Sequence, residues 1–138
     1  MYTITYRAAQ RLLDIEVSGF WSPDAFRAFT RDLAAALAAT PEPVASLYNY
    51  THAAIQSREV VEMMQQLARG VDPERRVALY TEGRLARMQA SRVAAECPGM
   101  AVFTDRVSAL TWLGVDTAAA RTRRLVIIGA ADRPAPLP

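Results

Sequence analysis

The chain holds one imidazole, His52, in the stretch NYTHAAIQSREVVEMM, and any general base of the usual kind must use it. Paired with Tyr50, it is the one enzymatic reading open, and nothing in the sequence names a substrate. The carboxylates are scattered: Asp14 and Glu16 share a strand face with no third partner, Glu59 and Glu62 fall on a helix exterior, and Asp105 reads as a cap. One thiol, Cys97, beside one histidine is a poor stock for a zinc or transition-metal site, so neither metal nor cofactor is expected. No glycine-rich phosphate loop and no G-x-S-x-G elbow follows any strand. Side chains suited to binding are easier to find. Trp21, Tyr48, Tyr50 and Met64 could line an apolar pocket, and Ser57 with Arg58 opens an amphipathic run.

Hydrophobic periodicity sets the elements that must position these groups. Residues 2 to 7, YTITYR, alternate as a half-buried strand, and LLDIEVSGF follows after the short polar connection RAAQR, so the start reads as a hairpin. Ser22 is an N-cap with Pro23 at the first helical position, and Phe26, Phe29, Leu33 and Leu37 place one face of a helix over residues 23 to 39 toward the core. Phe20 and Trp21 read as an aromatic pair stapling that helix to the sheet. A strand over 44 to 50 leads through the loop THAAIQ, which carries His52, to Ser57. The helix that Ser57 caps is closed by Gly70, and Met63 and Met64 fill core on its inner side. A strand over 75 to 81, a helix from Arg84 to Cys97, a strand over 100 to 105 and a short helix from Arg106 to Gly114 complete the alternation. Strands alternating with helices require crossover connections, hence an α/β fold with a mostly parallel sheet of about five strands and an antiparallel N-terminal hairpin. Residues 1 to 114 form one domain and 115 to 138 a tail. Within that tail the apolar run at 125 to 129 forms a further strand, expected to pair with or pack on a second copy and so to make a homodimer, the alternative being that it adds to its own sheet.

Composition narrows the class. In 138 residues there are 16 arginines and no lysine, giving a net charge of only +2, too little to imply nucleic acid without a concentrated basic face. Arg84, Arg87 and Arg92 on one helix, and Arg121, Arg123 and Arg124 in the tail, are the two groups that could meet an anion. No run has the length of a membrane span and the first residues lack a signal peptide's apolar segment, so a soluble cytoplasmic protein is expected, without membrane or nucleic-acid partners.

The VSGFWS strand-to-helix junction, the strand and loop SLYNYTHAAIQS, the RVALYT strand and the closing ALTWL helix, in that order, resemble the STAS-like (SpoIIAA-like) family. This is the fold of sporulation-type anti-sigma-factor antagonists and of the cytoplasmic domain of sulfate transporters. The layout is similar to lipid-binding domains of the CRAL-TRIO kind as well. In signalling members an Asp-Ser-Ser-Gly stretch presents a serine to a kinase. The matching position is Ser57, but Gln56 stands where the acidic residue would be, and Arg58 and Glu59 follow. Ser57 is therefore read first as a helix cap and only second as a phospho-acceptor. The resemblance, joined to the absence of catalytic signatures, implies a non-enzymatic binding or regulatory module. Its protein partner or small ligand would meet the loops after strands three and four, with Trp21, Tyr48, Tyr50, His52, Ser57 and Arg58 as candidate contacts. The alternative is a small-molecule or lipid carrier with an apolar pocket.

Overall fold

In the computed structural model, residues 1–115 and the backbone of 124–129 are described. The hairpin is β1 (Tyr2–Arg7) and β2 (Leu12–Gly19), joined by a 3-10 turn, Ala8–Gln10, that ends with Arg11 in the left-handed region. The rest runs α1 (Pro23–Ala39), β3 (Ala45–Ala53), α2 (Arg58–Arg69), β4 (Val77–Tyr80), α3 (Arg84–Ala94), β5 (Met100–Phe103), α4 (Arg106–Leu113) and β6 (Arg124–Gly129). The caps read from the sequence are in place. Ser22 Oγ accepts from the amide of Ala25 at 3.1 Å, Asp105 Oδ1 from that of Ser108 at 2.8 Å, and Gly114 takes φ 71° after α4.

One sheet has the order β5-β4-β3-β2-β1-β6. Strands β2 to β5 are parallel, and β1 is antiparallel to both β2 and β6. The α/β class, the parallel core and the antiparallel hairpin are as expected. The tail strand takes the second of the two places open to it: it pairs with β1 of its own chain, from Tyr2 opposite Gly129 to Arg7 opposite Arg124. The physical reason is that the outer edge of β1 offers it a full ladder without the cost of association. The argument that an unpaired apolar strip makes the homodimer is thereby removed. The Arg121 and Arg123 part of the tail group lies outside the described residues.

Strand β3 is also longer than predicted. A register shift between Glu16 and Ser18 lets it continue opposite Ser18 and Gly19, so His52 sits in the strand end and not in a loop.

Helices α1, α2 and α3 cover one face of the sheet and α4 the other. The larger core, with Ile4, Leu13, Ile15, Phe29 and Val60, lies under the three helices; the smaller, with Leu12, Leu47, Tyr80 and Leu110, lies under α4. Trp21 belongs to the larger core, 3% exposed, its ring 5.6 Å from Tyr2 and 5.3 Å from Phe29. Phe20 does not share in the staple: it is 64% exposed.

Because β2 is central, it is buried on both faces, which corrects the reading of Asp14 as a residue without partners. Its carboxylate lies in the interior, takes Arg7 Nε at 2.7 Å, and is forked by Arg106 at 2.8 and 3.2 Å. Arg106 stands at the first position of α4 and also reaches the Tyr80 hydroxyl at 3.4 Å, so this one carboxylate ties β1, β2 and α4 together. Burial raises its pKa, but the bonds from Arg106 and Arg7 outweigh that and hold it below the ordinary 3.8. A carboxylate with a depressed folded pKa stabilises above the unfolded value and loses that contribution as pH falls through the folded one. Asp14→Asn should therefore cost roughly 1–3 kcal/mol at neutral pH, below the full penalty for a broken buried pair because both arginines are partly solvated. Denaturant titrations of both proteins should show the gap closing below about pH 4.

Candidate functional site

Tyr48 and Tyr50 occupy alternate positions of β3 and so project from the same face, the one under the three helices. The helices do not close fully on them. A cavity of about 330 Å³ remains, floored by Tyr48, Tyr50 and Leu79 and walled by Leu33, Met64 and Val93. Its lining is largely apolar. Phe29 and Tyr50 both meet the Tyr48 ring edge-on, at 6.3 and 6.2 Å. Burial pushes both phenols well above their ordinary 10, so they are neutral hydroxyls across the physiological range. The Tyr50 hydroxyl has Met64 Sδ at 4.0 Å.

The end of the cavity nearest the C-terminal ends of the strands is closed by Gln56, which is buried and fully used. Its side-chain oxygen accepts from the amide of Trp21 at 2.9 Å, and its nitrogen donates to the carbonyls of Gly19 at 2.9 Å and Ala54 at 2.7 Å. Its backbone is held in turn by Gln89 of α3, through one bond at 2.9 Å and one at 3.0 Å. A carboxylate in this place has no hydrogen to give to either carbonyl. The departure from the acidic residue of the signalling motif thus has a structural cause.

The opposite end is bordered by Arg75, Cys97 and Met100. Cys97 is buried here. Gly99 is required beside it, because a Cβ there would lie 2.2 Å from the Arg75 carbonyl oxygen. A second, wider hollow of about 700 Å³ lies between Gln10, Glu42 and Leu113, but it is bordered by several charged side chains, so the more apolar cavity is the better site for a small ligand.

Of the residues singled out in the sequence, Tyr48, Tyr50 and Met64 come together in this cavity. Trp21 does not line it; it borders a small gap alongside, and its indole nitrogen donates to the Ser18 carbonyl at 2.9 Å. His52 is exposed at the end of β3, makes no described hydrogen bond and does not border the cavity, so the structure does not join it to Tyr50. Ser57 is the cap of α2, its Oγ accepting from the amide of Val60 at 3.2 Å, and Arg58 faces solvent paired with Glu62 at 3.1 Å. Gln56, Arg75 and Cys97 were not foreseen as parts of a site. Among the described residues no three of His, Cys, Asp or Glu cluster as metal ligands, and no helix is long and apolar enough to cross a membrane.

This architecture is shared with a known structure. The chain resembles the crystal structure of an uncharacterised protein of the DUF3478 family with a SpoIIAA-like fold, from Shewanella loihica PV-4. The TM-score is 0.58 at 28% identity, over 74% of this chain and 83% of that one. No protein-family model matches the sequence, and no curated protein matches it. The chain thus has a SpoIIAA-like fold.

Two substitutions separate the roles of neighbours in the loop before α2. Gln56→Glu should destabilise by about 2–4 kcal/mol, since it buries a charge against the carbonyl oxygens of Gly19 and Ala54 and loses both bonds donated to them. Ser57→Ala should cost only about 0.5–2 kcal/mol through loss of the cap. Thermal melts would rank them, and a Ser57→Ala loss exceeding that of Gln56→Glu would invert the assignment.

Proposed function

We propose that this domain is a non-enzymatic binding module whose cavity between β3 and helices α1 to α3 holds a small, mainly apolar ligand. The supporting observation is the cavity itself. A largely apolar space of 330 Å³ is about twice the volume known to hold a benzene molecule, and it sits at the lower end of the range of small-molecule sites. A ligand of roughly ten to fifteen non-hydrogen atoms fits that space by the same proportion. The tyrosines, two neutral hydroxyls on an otherwise hydrophobic surface, have the character of orienting groups rather than of a general acid and base. Native mass spectrometry of the purified chain should find a retained small molecule. Ala90→Phe projects a ring from α3 into the cavity, where the present side chain is buried against it, and should displace that molecule without lowering the melting temperature. A protein that carries nothing, and whose binding of apolar probes is unchanged by Ala90→Phe, would refute the proposal.

A second reading, docking of a protein partner at the loops after β3 and β4, is supported by exposed apolar side chains there. Ile55 precedes Gln56, and Leu85 and Met88 lie on the first turns of α3. Phe20 is on the neighbouring β2–α1 segment that Gln56 draws in. A second copy of the chain is one such partner. Light scattering should then give a dimer that the Phe20→Ser/Leu85→Ser double variant reduces to a monomer, whereas a monomeric wild type would leave this surface without a homodimer.

A further inference from the structure

The side chains bordering the cavity leave hydroxyl donors unused and have their carboxamide acceptors spent. Three glutamines border it, and the side-chain oxygen of each is taken: Gln56 Oε1 by the Trp21 amide at 2.9 Å, Gln89 Oε1 by the Gln56 amide at 2.9 Å, and Gln66 Oε1 by Arg69 at 3.0 Å. The two tyrosines are the reverse case. Tyr50 has only the Met64 thioether, a weak acceptor, at 4.0 Å. The Tyr48 hydroxyl makes no described hydrogen bond, yet it is not sealed from contact: the one fully buried side-chain nitrogen or oxygen without a partner among the described residues is Arg75 Nε. The Tyr48 hydroxyl therefore keeps accessible surface, and on the helix-covered face of β3 that surface opens on the cavity Tyr48 lines. The charged side chains on the border, Arg75 and Asp72, are engaged elsewhere. Arg75 is paired with Glu42 at 2.7 Å, and Asp72 is exposed and holds the amide of Glu74 at 3.0 Å.

Resting on the cavity being a ligand site, we propose that its ligand is a neutral carbonyl compound, a ketone or ester of mainly hydrocarbon character, whose oxygen accepts from the Tyr48 hydroxyl. A carbonyl oxygen has lone pairs and no hydrogen of its own, so it satisfies the donor without bringing in another. An alcohol accepts as well, but its own hydrogen then meets carboxamide oxygens that are already taken. A carboxylate would give up its hydration among apolar walls with no free cation to replace it, since Arg75 is held by Glu42. The burial that raises the Tyr48 phenol above its ordinary range acts against an entering carboxylate in the same way. The hydrocarbon part of the ligand lies along Leu33, Met64 and Val93, which wall the space.

Four probes of nearly one shape separate these classes: naphthalene bearing, at the same ring carbon, an acetyl, an isopropenyl, a hydroxyethyl or a carboxylate group. Each has about thirteen non-hydrogen atoms, within the ten to fifteen that the space admits. In titration calorimetry on the full chain freed of endogenous ligand, Tyr48→Phe should lower affinity for the ketone about tenfold, because a buried carbonyl loses its partner. The same variant should shift affinity for the isopropenyl hydrocarbon by less than about threefold, so the pair of ligands and the pair of proteins form a cycle that isolates the one hydrogen bond. Tyr50→Phe should change either affinity by less than about threefold. On the unaltered chain the ketone should bind at least about threefold more tightly than the alcohol and at least about tenfold more tightly than the carboxylate. Ala90→Phe should abolish binding of ketone and hydrocarbon alike. A Tyr48→Phe loss no greater for the ketone than for the hydrocarbon, with both removed by Ala90→Phe, would overturn the carbonyl assignment and leave the cavity as the site. Tighter binding of the carboxylate than of the ketone would overturn the neutral head in the same way. Binding of none of the four, or binding that survives Ala90→Phe, would overturn both the assignment and the reading on which it rests.

Discussion

The carboxamide of Gln56 is the constraint on which the helical layer depends. Three chain segments must converge at the C-terminal ends of the parallel strands: the end of β2 with the start of α1, the end of β3 with the start of α2, and the first half of α3. Each arrives with backbone groups that the sheet ladder no longer satisfies. One amide, accepting once and donating twice, closes the first two segments on each other, and Gln89 brings in the third. With those segments fixed, α1, α2 and α3 are held at a spacing that leaves a void over the tyrosines instead of collapsing onto them. The cavity is a product of this arrangement as much as of the side chains that line it.

The two faces of the sheet are held by different physics. Under the three helices the contact is aromatic and aliphatic, with Tyr2, Trp21, Phe26 and Phe29 forming a chain of tilted and edge-on rings. The Tyr2 hydroxyl donates to Asp32, which fixes β1 against α1. On the other face a single short helix does the covering, and its first residue is anchored by charge. The Asp14 fork carries no pocket and lies on the opposite side of the sheet from the cavity, and its part is to set α4 in register with β1 and β2. Farther along α4, Arg76 lies over the Trp112 ring at 4.1 Å, adding a cation–π contact to that anchor.

Much of this was legible in residue order. The alternation in YTITYR, the Ser22-Pro23 start, the Asp105 and Gly114 punctuation of α4 and the crossover logic specify strands, caps and a parallel sheet without reference to partners distant in sequence. What escaped the reading depends on long-range pairing. Asp14 looks like the polar side of a half-exposed strand because nothing local says that β2 is central; its burial follows from the positions of β1 and β3. The bulge near Ser18 that carries β3 on to His52 is likewise a property of two strands together. Gln56 and Arg75 are polar residues in or beside loops, and types of that kind give no periodic signal. Cys97 stood out only as a lone thiol, though its place after α3 turns it inward. Tyr48, Tyr50 and Met64 were found because alternate strand positions and a helical stripe, each visible locally, happen to face one another.

The pairing of β6 with β1 bears on the order in which the molecule can assemble. These are the first and last strands of the described chain, so their ladder closes one of the longest loops available and cannot be stabilised by anything local. The β2-to-β5 core with its helices can consolidate beforehand, through contacts between neighbours in sequence. During that interval the outer side of β1 is an unsatisfied template, open to the equivalent strand of another molecule as readily as to its own. The same edge that gives the native strand its place is thus the position at which crowding during synthesis competes with correct closure.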